Sequence, residues 1–347
     1  MFFKSKTPQP PAMTLEGVLG PNGRLDEAKS MPVDQPRNLC VTADGNLVFS
    51  AGKDICVLKK WAGKPVVLGS FAHPVSALCT SPGGLIAVGM AGGAIAVCDA
   101  DGRPLDDWAV SVPLQSVNDC AFLSEDEIAV ADCGYANEDD VLSIAPWDEV
   151  ARGRVVAIAR SGKVHNLGPD LHAPMGLCRD AGGKMLVTLM ERAAITDVTG
   201  QVQQGGYPAY LGRLRKTATG YVMACLARRD PLIEFLKTEK EFVAEMKASM
   251  ASKYWISPRA NPEFSHEFPI ELGATRLFGE IKPWAPSFSY GLVIEMDENL
   301  MPVASAHSRA NKSRHAITDV LEWQGDLIVV SKASGEILNL GPRKDAA

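Results

Sequence analysis

The sequence predicts an all-β fold, a six-bladed β-propeller with a helical insertion in the fifth blade, and three observations support this prediction. Pairs of short apolar strands joined by polar or Gly-containing turns recur at residues 36–50, 74–89, 117–132 and 174–189. Two further short strands follow each pair, with Asp-Gly or Ser-Gly at several of the hairpin tips. Four strands in about 40 residues make one propeller blade, and the chain holds six such units.

The fifth and sixth units complete the ring. The fifth starts near Tyr207, continues through residues 212–227, and resumes after a long insertion. The sixth, residues 315–340, provides only three strands. We expect the N-terminal segment TLEGVLG, residues 14–20, to supply the fourth strand, since closing the ring removes exposed sheet edges. We therefore assign residues 1–347 to a single propeller domain.

Two insertions interrupt the period, at Gly134–Arg152 and at about residues 230–286. The first contains an acidic run at residues 138–140. The second opens with apolar residues at helical spacing among good helix formers, which predicts one amphipathic helix over residues 231–255. We expect this helix to cap one face of the ring. A peripheral packing helix with no role in the site is the alternative.

Composition excludes several classes of function. The chain of 347 residues has a net charge of -6 at pH 7 and no basic patch, so a nucleic-acid partner is not expected. No segment approaches the roughly 20 apolar residues that span a bilayer, and the N-terminal residues lack the apolar core of a secretory signal. We therefore expect a cytoplasmic protein with no membrane partner. A homodimer remains open.

The spacing of the eight cysteines is not that of a metal site, because none forms a CxxC pair. In a cytoplasmic chain of this length we expect reduced thiols and no structural zinc. Cys40, Cys79, Cys120 and Cys178 occupy one slot of the repeat, on the innermost strands. We interpret them as small apolar fillers between neighbouring blades and not as a ring of metal ligands.

Loops that enter the inner strands share one face of the ring with loops that leave the second strands, and this face should hold the site. His73 and His172 stand just before inner strands and are candidate general bases, with a hydrogen-bonded structural role as the alternative for each. Asp132 ends a second strand and either supports the site or caps a loop. Tyr207, Tyr210, Trp147 and Met175 would form an apolar wall for a moderately hydrophobic ligand, or ordinary core.

Several longer stretches resemble the strictosidine synthase-like family, within the group of SMP-30, gluconolactonase and paraoxonase propellers. The stretches include NDCAFLSEDEIAVAD at 118–132, LHAPMGL at 171–177, GGYPAYLGRL at 205–214, ARRDPLIEFL at 227–236 and AITDVLEWQGDLIVVSK at 316–332. They follow the family's order and spacing over nearly the whole chain after about residue 15. GYP before a strand, followed by the doubled Arg and an apolar helix start, is the most specific part.

The resemblance implies one calcium at the channel mouth of lactonase members, held by a Glu, two Asn and an Asp just after the first residues of inner strands. Three of these four positions carry other residues here. The Glu position holds Arg37, followed by Asn38, and the second Asn position holds Met175. The Asp position holds Ala209, followed by Tyr210. We therefore expect no cofactor; calcium, with Asn118 as a ligand, is the alternative.

The remaining Asn position holds Asn118, followed by Asp119. Arg37 beside these two residues would make a donor cluster for a carboxylate or a developing oxyanion. An Arg37–Asp119 ion pair that plugs the channel is the alternative. The catalytic Glu of the alkaloid-forming branch corresponds to Thr318 here, with Asp319 next, so the amine-condensing reaction is not supported.

These considerations predict a small-molecule hydrolase that acts on a lactone or ester without a metal, on a substrate that is anionic and partly aromatic. A metal-free lyase, isomerase or condensing enzyme on the same scaffold is one alternative, and a non-catalytic ligand-binding propeller is another. The candidate catalytic residues are His73, His172, Asp119 and Asp132. The candidate substrate-binding residues are Arg37, Asn38, Asn118, Tyr135, Met175, Glu191, Tyr207, Tyr210, Arg228, His315 and Thr318.

Overall fold

The computed structural model describes residues 10–108, 113–136, 138–252, 255–261, 276–277, 280–281 and 289–344. Six of the sheets that their strands form are blades with one inner strand at the edge, and this arrangement confirms the six-bladed β-propeller. Five of the sheets have four strands, and the second blade has three in the part of the chain that is described. The fourth strand expected in that blade falls partly on residues 109–112, which lie outside the described residues.

Strand β1 precedes the blades in sequence and belongs to the last of them. Its range is β1 (Lys29–Pro32). Blade 1 consists of β2 (Pro36–Val41), β3 (Leu47–Ala51), β4 (Asp54–Leu58) and β5 (Val66–Ser70). Blade 2 consists of β6 (Val75–Thr80), β7 (Ile86–Met90) and β8 (Ile95–Cys98). Blade 3 consists of β9 (Asp119–Ser124), β10 (Glu127–Asp132), β11 (Arg154–Ala159) and β12 (Val164–Asn166).

The second half of the ring carries the longest strands and the helical insertion. Blade 4 consists of β13 (Pro174–Arg179), β14 (Met185–Leu189), β15 (Ala194–Asp197) and β16 (Val202–Gly205). Blade 5 consists of β17 (Ala209–Thr217), β18 (Gly220–Arg228), β21 (Gly291–Met296) and β22 (Pro302–Ser308). The ribbon of β19 (Arg276–Leu277) and β20 (Glu280–Ile281) lies between β18 and β21 in sequence. Blade 6 consists of β23 (Ile317–Trp323), β24 (Asp326–Ser331) and β25 (Glu336–Asn339), with β1.

The hairpins follow the predicted turn chemistry. Between β13 and β14, Asp180 accepts hydrogen bonds from the main-chain N–H groups of Gly183 and Lys184, through its carbonyl and its side chain respectively. Gly183 has a φ of 82°, a left-handed conformation in which a side chain is strained. The Asp and Gly residues of this repeat therefore set the tight return that brings a second strand beside each inner strand.

The ring closes through β1, which pairs antiparallel with β25 from Lys29↔Asn339 to Pro32↔Glu336. The prediction that residues 14–20 form this strand is wrong. That segment contains a 3-10 helix, Gly17–Leu19, which packs against blade 5, and the Val18 carbonyl accepts a hydrogen bond from Ser305 Oγ at 2.8 Å. A short helix α1 (Arg24–Glu27) then separates this segment from the closing strand.

The two insertions form a helical layer on one face. The first contains α2 (Glu138–Ile144) and a 3-10 helix, Ala145–Trp147. The second begins with α3 (Pro231–Leu236) and α4 (Lys240–Ser249), so the prediction of one continuous helix is wrong. The Asp230 side chain caps α3 by accepting from Leu232 N at 2.9 Å, and the chain turns at Lys237 before α4 starts.

The helical layer has an apolar core of its own. Ile233 of α3 and Met246 of α4 are buried against Trp147 of the first insertion. The second insertion therefore packs on the first, and the first packs on the propeller. No helix in the described residues is long and apolar enough to cross a membrane.

The four cysteines of the repeated slot lie where the blades pack together. Cys40, Cys120 and Cys178 are buried members of three apolar clusters, and Cys79 is half-buried. Burial raises the pKa of Cys178 to about 12, so its thiol stays protonated and behaves as an apolar group. This placement agrees with the interpretation of these residues as fillers.

Candidate functional site

The centre of the channel is occupied by the guanidinium of Arg213, from the inner strand of blade 5. Its Nη1 donates to the Thr318 carbonyl at 2.6 Å, and its Nη2 donates to the Ser76 carbonyl at 2.7 Å and to the Asn118 carbonyl. These three carbonyls belong to blades 6, 2 and 3. Arg213 is 2% exposed, so one buried cation joins four inner strands across the axis of the ring.

Arg215, two residues further along β17, forms a second level of the same plug. It donates to the two carboxylate oxygens of Asp119 at 2.6 and 3.0 Å and to Asp319 Oδ2 at 3.1 Å. Burial alone would lower the pKa of Arg215, but the two carboxylates raise it well above its ordinary value. We call Arg213, Arg215, Asp119 and Asp319 the channel cluster.

Asp119 and Asp319 also bind the main chain of the next blade. Asp119 Oδ2 accepts from Leu177 N at 2.8 Å, and Asp319 Oδ2 accepts from Leu39 N at 3.0 Å. Both side chains are fully buried. The structure thus places Asp119, a predicted catalytic residue, in a structural ion cluster where its oxygens are already bonded. Its partners are Arg215 and Arg213, where the alternative had expected Arg37.

Sequence reasoning missed both arginines of the channel cluster. The signal was present in GRLRK, because Arg213 and Arg215 alternate along an inner strand and so point to the same side, toward the channel. A cation on that side needs a buried anion, and the two candidates on inner strands were Asp119 and Asp319. Their pairing across blades joins residues about a hundred positions apart.

The polar residues at the strand starts are bonded to one another. Asn38 Nδ2 donates to the Ser76 carbonyl at 3.0 Å, and Thr318 Oγ1 donates to the Arg37 carbonyl at 2.8 Å. Asn118 Oδ1 accepts from Ser116 Oγ at 2.7 Å and from Cys133 N at 3.1 Å. The structure thus brings the predicted Arg37, Asn38, Asn118 and Thr318 together at the mouth, where they tie the inner strands to each other.

The groups at this mouth do not fit a calcium ion. The Asn118 carboxamide oxygen is used by two donors, and Met175 and Ala209 carry no ligand oxygen in their side chains. The converging carbonyls are taken by Arg213. Among the described residues, no group of three or more His, Cys, Asp and Glu side chains is arranged to hold a metal ion.

The predicted apolar wall is absorbed into packing beneath the helical layer. Met175 and Tyr210 are buried in one apolar cluster together with Val141, Leu142 and Ala145 of the first insertion. Tyr207 is also buried, in the core of blade 5, and its hydroxyl donates to the Leu300 carbonyl at 2.8 Å. These side chains are therefore covered by the helical layer over blades 3 to 6. Their surroundings agree with the alternative of ordinary core packing.

An ion network fastens α3 to blade 4. Arg229 is fully buried, donates to Glu234 Oε1 at 2.8 Å, and stacks with its guanidinium carbon 4.1 Å from the centre of the Tyr210 ring. Lys237 contacts both Glu191 and Glu234. Glu191, predicted to bind substrate, is thus a buried member of this network.

Two other predicted binding residues lie between blades 5 and 6. Arg228 is half-buried, with its guanidinium carbon 5.7 Å from the centre of the Tyr290 ring. His315 is fully buried, and its ring nitrogens bond Ser289 Oγ at 3.0 Å and the Arg309 carbonyl at 2.8 Å. Burial lowers the pKa of His315, so it is a neutral structural histidine at neutral pH.

Asp132 organises the loop that leads into blade 3. Its carboxylate accepts from the main-chain N–H groups of Gln115, Ser116 and Gly134 at 3.0 to 3.2 Å. These bonds saturate the oxygens, and the residue is 3% exposed. Asp132 therefore has the loop-capping role that was given as the alternative. It can affect the site only indirectly, because the loop that it holds lies beside Asn118.

His172 presents a free basic nitrogen in a buried position. Its Nε2 lies 2.6 Å from the Asp148 carbonyl oxygen, and a carbonyl only accepts, so Nε2 carries the ring proton. The lone pair of the neutral ring then lies on Nδ1, which has no hydrogen-bond partner among the described residues. The side chain is 5% exposed, and burial lowers its pKa. His172 is therefore a neutral imidazole at neutral pH, with its proton on Nε2.

The Asp148 side chain holds the backbone to which His172 is bonded. Its carboxylate accepts from Arg152 Nε at 2.5 Å, from the Tyr135 hydroxyl at 3.1 Å and from Val150 N at 3.0 Å. Tyr135, which was predicted to bind substrate, therefore donates its hydroxyl hydrogen bond to Asp148. We call Tyr135, Asp148, Arg152 and His172 the His172 cluster. The positive charge of Arg192 also lowers the pKa of His172, and the negative charge of Glu191 raises it.

Burial distinguishes the two predicted histidine bases. His73 is exposed in the loop before β6, whereas His172 lies under the 3-10 helix that the first insertion contributes. The sequence placed both near the starts of inner strands but gave no sign that only one would be covered. The side chain of Glu138, in the acidic run of that insertion, is outside the part of the chain that the structure describes.

The fold is shared with enzymes and binding proteins of known structure. A gluconolactonase from Xanthomonas campestris matches with a TM-score of 0.54 and 13% identity, over 96% of each chain. The fold is that of the gluconolactonase-like six-bladed propellers. A calcium-binding regucalcin from Agrobacterium tumefaciens matches with a TM-score of 0.52 and 12% identity, over 90% of this chain and 91% of the other. Streptogramin B lyase matches with a TM-score of 0.51 and 11% identity, over 90% and 96%.

In sequence, no protein-family model and no curated protein matches the chain. Identities of 11 to 13% to the solved structures establish the shared propeller architecture alone. The activity has to be inferred from the site.

Proposed function

We propose that the protein is a metal-independent hydrolase of a lactone or ester of a small molecule, with His172 as its general base. The observation that carries this proposal is Nδ1 of His172, which carries no proton and has no hydrogen-bond partner in the described part of the chain. A buried polar atom without a hydrogen bond costs about 1–3 kcal/mol. Nine buried side-chain atoms in the described residues lack a hydrogen-bond partner, and His172 Nδ1 is the one imidazole nitrogen among them. A base of this kind, neutral at neutral pH, is suited to take a proton from water.

The reaction needs only groups of this chain and water. Nδ1 of His172 takes a proton as the water oxygen bonds to the substrate carbonyl carbon, which gives a tetrahedral oxyanion. The guanidinium of Arg192, which also pairs with Glu191 at 3.6 Å, stabilises this oxyanion. The carbon–oxygen bond to the leaving group then breaks, and His172 returns the proton to the leaving alkoxide. The products are a carboxylic acid and an alcohol, joined in one molecule if the substrate is a lactone.

The His172 cluster supplies orientation. The carboxylate of Asp148 is held on three sides, so its carbonyl is fixed and the tautomer of His172 is fixed with it. Tyr135 and Arg152 are positioning residues in this scheme, because they touch Asp148 and not the reacting atoms. The gluconolactonase with the same fold supports the choice of a lactone among possible substrates.

The finer assignments belong to the same proposal. The motifs at 205–214 and 227–236 support membership of the strictosidine synthase-like subgroup. The half-buried charge of Arg192, whose Nε also pairs with Glu191 at 3.6 Å, supports an anionic substrate. All eight cysteines are free thiols, which supports a cytoplasmic location because reducing compartments keep thiols unpaired.

A lyase is the second candidate, since the same base can remove a proton from carbon and streptogramin B lyase has this fold. The two reactions differ in their products. A hydrolase incorporates one oxygen atom from solvent into its acid product, and a lyase forms a carbon–carbon double bond without adding water. Reaction in ¹⁸O-labelled water followed by mass spectrometry separates them.

The test is a screen of five- and six-membered lactones and aryl esters with wild-type protein, followed by kinetics of His172→Gln. We expect the variant to lose kcat by about 100-fold or more, because the amide cannot take the proton. His165→Gln, at an exposed histidine of β12, is the matched control and should retain wild-type kinetics. Equal activity of His172→Gln and wild type would overturn the proposal.

A further inference from the structure

A cleft of about 280 Å³ opens between the hairpin turns of blades 4 and 5. Its walls are the β13–β14 turn at Asp180, the β17–β18 hairpin from Lys216 to Tyr221, and the β21–β22 turn at Glu298 and Asn299. Strand β18 begins at this cleft and ends at the second insertion, so the cleft lies on the face opposite the helical layer. Ligand pockets have volumes of roughly 300–1,000 Å³, so this cleft suits a ligand of few atoms.

Tyr221 presents a hydroxyl group without a partner to this cleft. The residue is 5% exposed, and its ring packs in the apolar cluster between blades 4 and 5. Its hydroxyl has no hydrogen-bond partner among the described residues. The other four described tyrosines all have a hydrogen-bonded hydroxyl: Tyr135, Tyr207, Tyr210 and Tyr290. A largely buried tyrosine usually finds such a partner, so the exception at Tyr221 indicates that a ligand supplies it.

Charged groups of both signs line the cleft without pairing with one another. Burial raises the pKa of Tyr221, and the negative charges of Asp180 and Glu298 raise it further, so both carboxylates act on the hydroxyl. Lys216 stands directly opposite Tyr221 in the β17–β18 pair. Within the described part of the chain, Lys216 forms no ion pair with either carboxylate. A ligand that carries both charges can satisfy both sets of groups at once.

We infer that this cleft binds a free α-amino acid as a zwitterion. The ammonium group donates to the Tyr221 hydroxyl oxygen and lies between the carboxylates of Asp180 and Glu298. The ligand carboxylate accepts from the ammonium of Lys216 and from the side-chain amide of Asn299. A simple cation would be repelled by Lys216, and a simple anion would be repelled by two carboxylates. The inference does not depend on the reaction at His172.

Contacts outside the cleft hold its walls in place. Arg343 donates to Thr217 Oγ1 and to the Met296 carbonyl, the latter at 2.9 Å, and so ties the β17–β18 hairpin to β21. Asp180 Oδ1 accepts from Lys184 N at 2.9 Å, which fixes the carboxylate and leaves Oδ2 without a partner in the described residues. A preformed site loses less conformational freedom when the ligand binds.

The experiment measures the binding of three probes by nuclear magnetic resonance and titration calorimetry. The probes are L-serine, L-serine methyl ester, which lacks the carboxylate charge, and N-acetyl-L-serine, which lacks the ammonium charge. Tyr221→Phe removes only the hydroxyl, and Lys216→Gln removes one charge. Lys163→Gln, at an exposed lysine in the β11–β12 turn, is the matched control.

We expect wild type and Lys163→Gln to bind one L-serine per chain. Tyr221→Phe and Lys216→Gln should each weaken this binding by about tenfold, since each removes one hydrogen bond to a charged group. Wild type should bind either modified probe at least about tenfold more weakly than L-serine. No L-serine binding by wild type, or equal binding by Tyr221→Phe, overturns the inference. Methyl ester that binds as tightly as L-serine would indicate an amine site and contradict the zwitterion.

This test can be separated from the test of the proposed hydrolase. Binding is measured without any substrate, so an absence of hydrolysis leaves its result unchanged. His172→Gln should bind L-serine as wild type does, because the cleft lies on the other face of the ring. Loss of L-serine binding in His172→Gln would contradict a second, separate site. Tyr221→Phe should unfold at the Tm of wild type, since the hydroxyl that it lacks has no partner in the described residues.

Discussion

Arg215 Nη2 donates to Asp319 Oδ2 at 3.1 Å, and this bond joins the inner strands of blades 5 and 6 inside the channel. The same carboxylate oxygen accepts from Leu39 N of blade 1, at the point where the ring closes. A propeller is held at its rim by β1 and β25 and at its axis by such inner contacts. The channel cluster therefore contributes to ring closure from the inside.

Replacement of Asp319 by Asn should destabilise the fold by about 3–5 kcal/mol, because it removes one charge from a buried ion cluster. The measurement is equilibrium unfolding in urea. Asp101→Asn is the control, since Asp101 pairs with Arg103 through side chains that are 70% and 75% exposed and should cost less than about 1 kcal/mol. Equal effects of the two substitutions would show that the channel cluster adds little.

Gly176 should not tolerate alanine. A Cβ at this position would lie 2.8 Å from Arg213 Cα and 3.0 Å from the Gly212 carbonyl oxygen, both main-chain atoms of β17. The two inner strands must separate to admit it, and overpacking of this kind costs about 1–3 kcal/mol. Urea unfolding of Gly176→Ala tests this. Gly183→Ala has open space around the added methyl, so it isolates backbone strain from steric contact.

The pH dependence of hydrolysis follows from the lowered pKa of His172. A neutral ring is the active form, so kcat/KM should be flat at and above neutral pH and should fall below a pKa that is itself under the ordinary 6.5. A pH–rate profile on the best lactone of the screen measures this limb. A limb with a pKa above 6.5 would be at odds with a buried, neutral base.

Stability should fall as pH falls from about 6.5 toward 4. Burial lowers the pKa of His307 from 6.5 to about 4 and also lowers the pKa values of His172 and His315. Between these limits the unfolded chain takes up protons that the folded chain does not, so protons favour unfolding. Thermal unfolding at several pH values measures the effect. His307→Gln should weaken this acid dependence, and an unchanged dependence would exclude His307 as its source.

The repeat made the blades predictable, since strand pairs, Gly turns and spacing are local properties. The closing strand was less visible, because Lys29–Pro32 is short and exposed and has no apolar alternation of its own. The break between α3 and α4 was hidden by good helix formers on both sides of Lys237. In both places the fold depends on a contact with a distant segment, which a local pattern does not encode.

The positions of the polar residues at the strand starts were predictable, and their contacts were less so. The sequence placed polar residues at the starts of the inner strands, but it offered Asp119 either as a catalytic residue or as the ion-pair partner of Arg37. Arg213 and Arg215 come from a different blade and bind Asp119 only after the ring has closed. The prediction of His172 as a base remains a prediction, and its supporting contact, the Asp148 carbonyl, lies in an irregular insertion.

The most direct measurement is kcat/KM of chelator-treated, metal-free wild type and of His172→Gln on the best lactone of the screen. The proposal predicts full activity of the metal-free wild type and a loss of about 100-fold or more in the variant. Metal content by mass spectrometry confirms the starting state. Loss of activity on metal removal that calcium restores, or an active His172→Gln, would contradict a metal-independent hydrolase with His172 as its base.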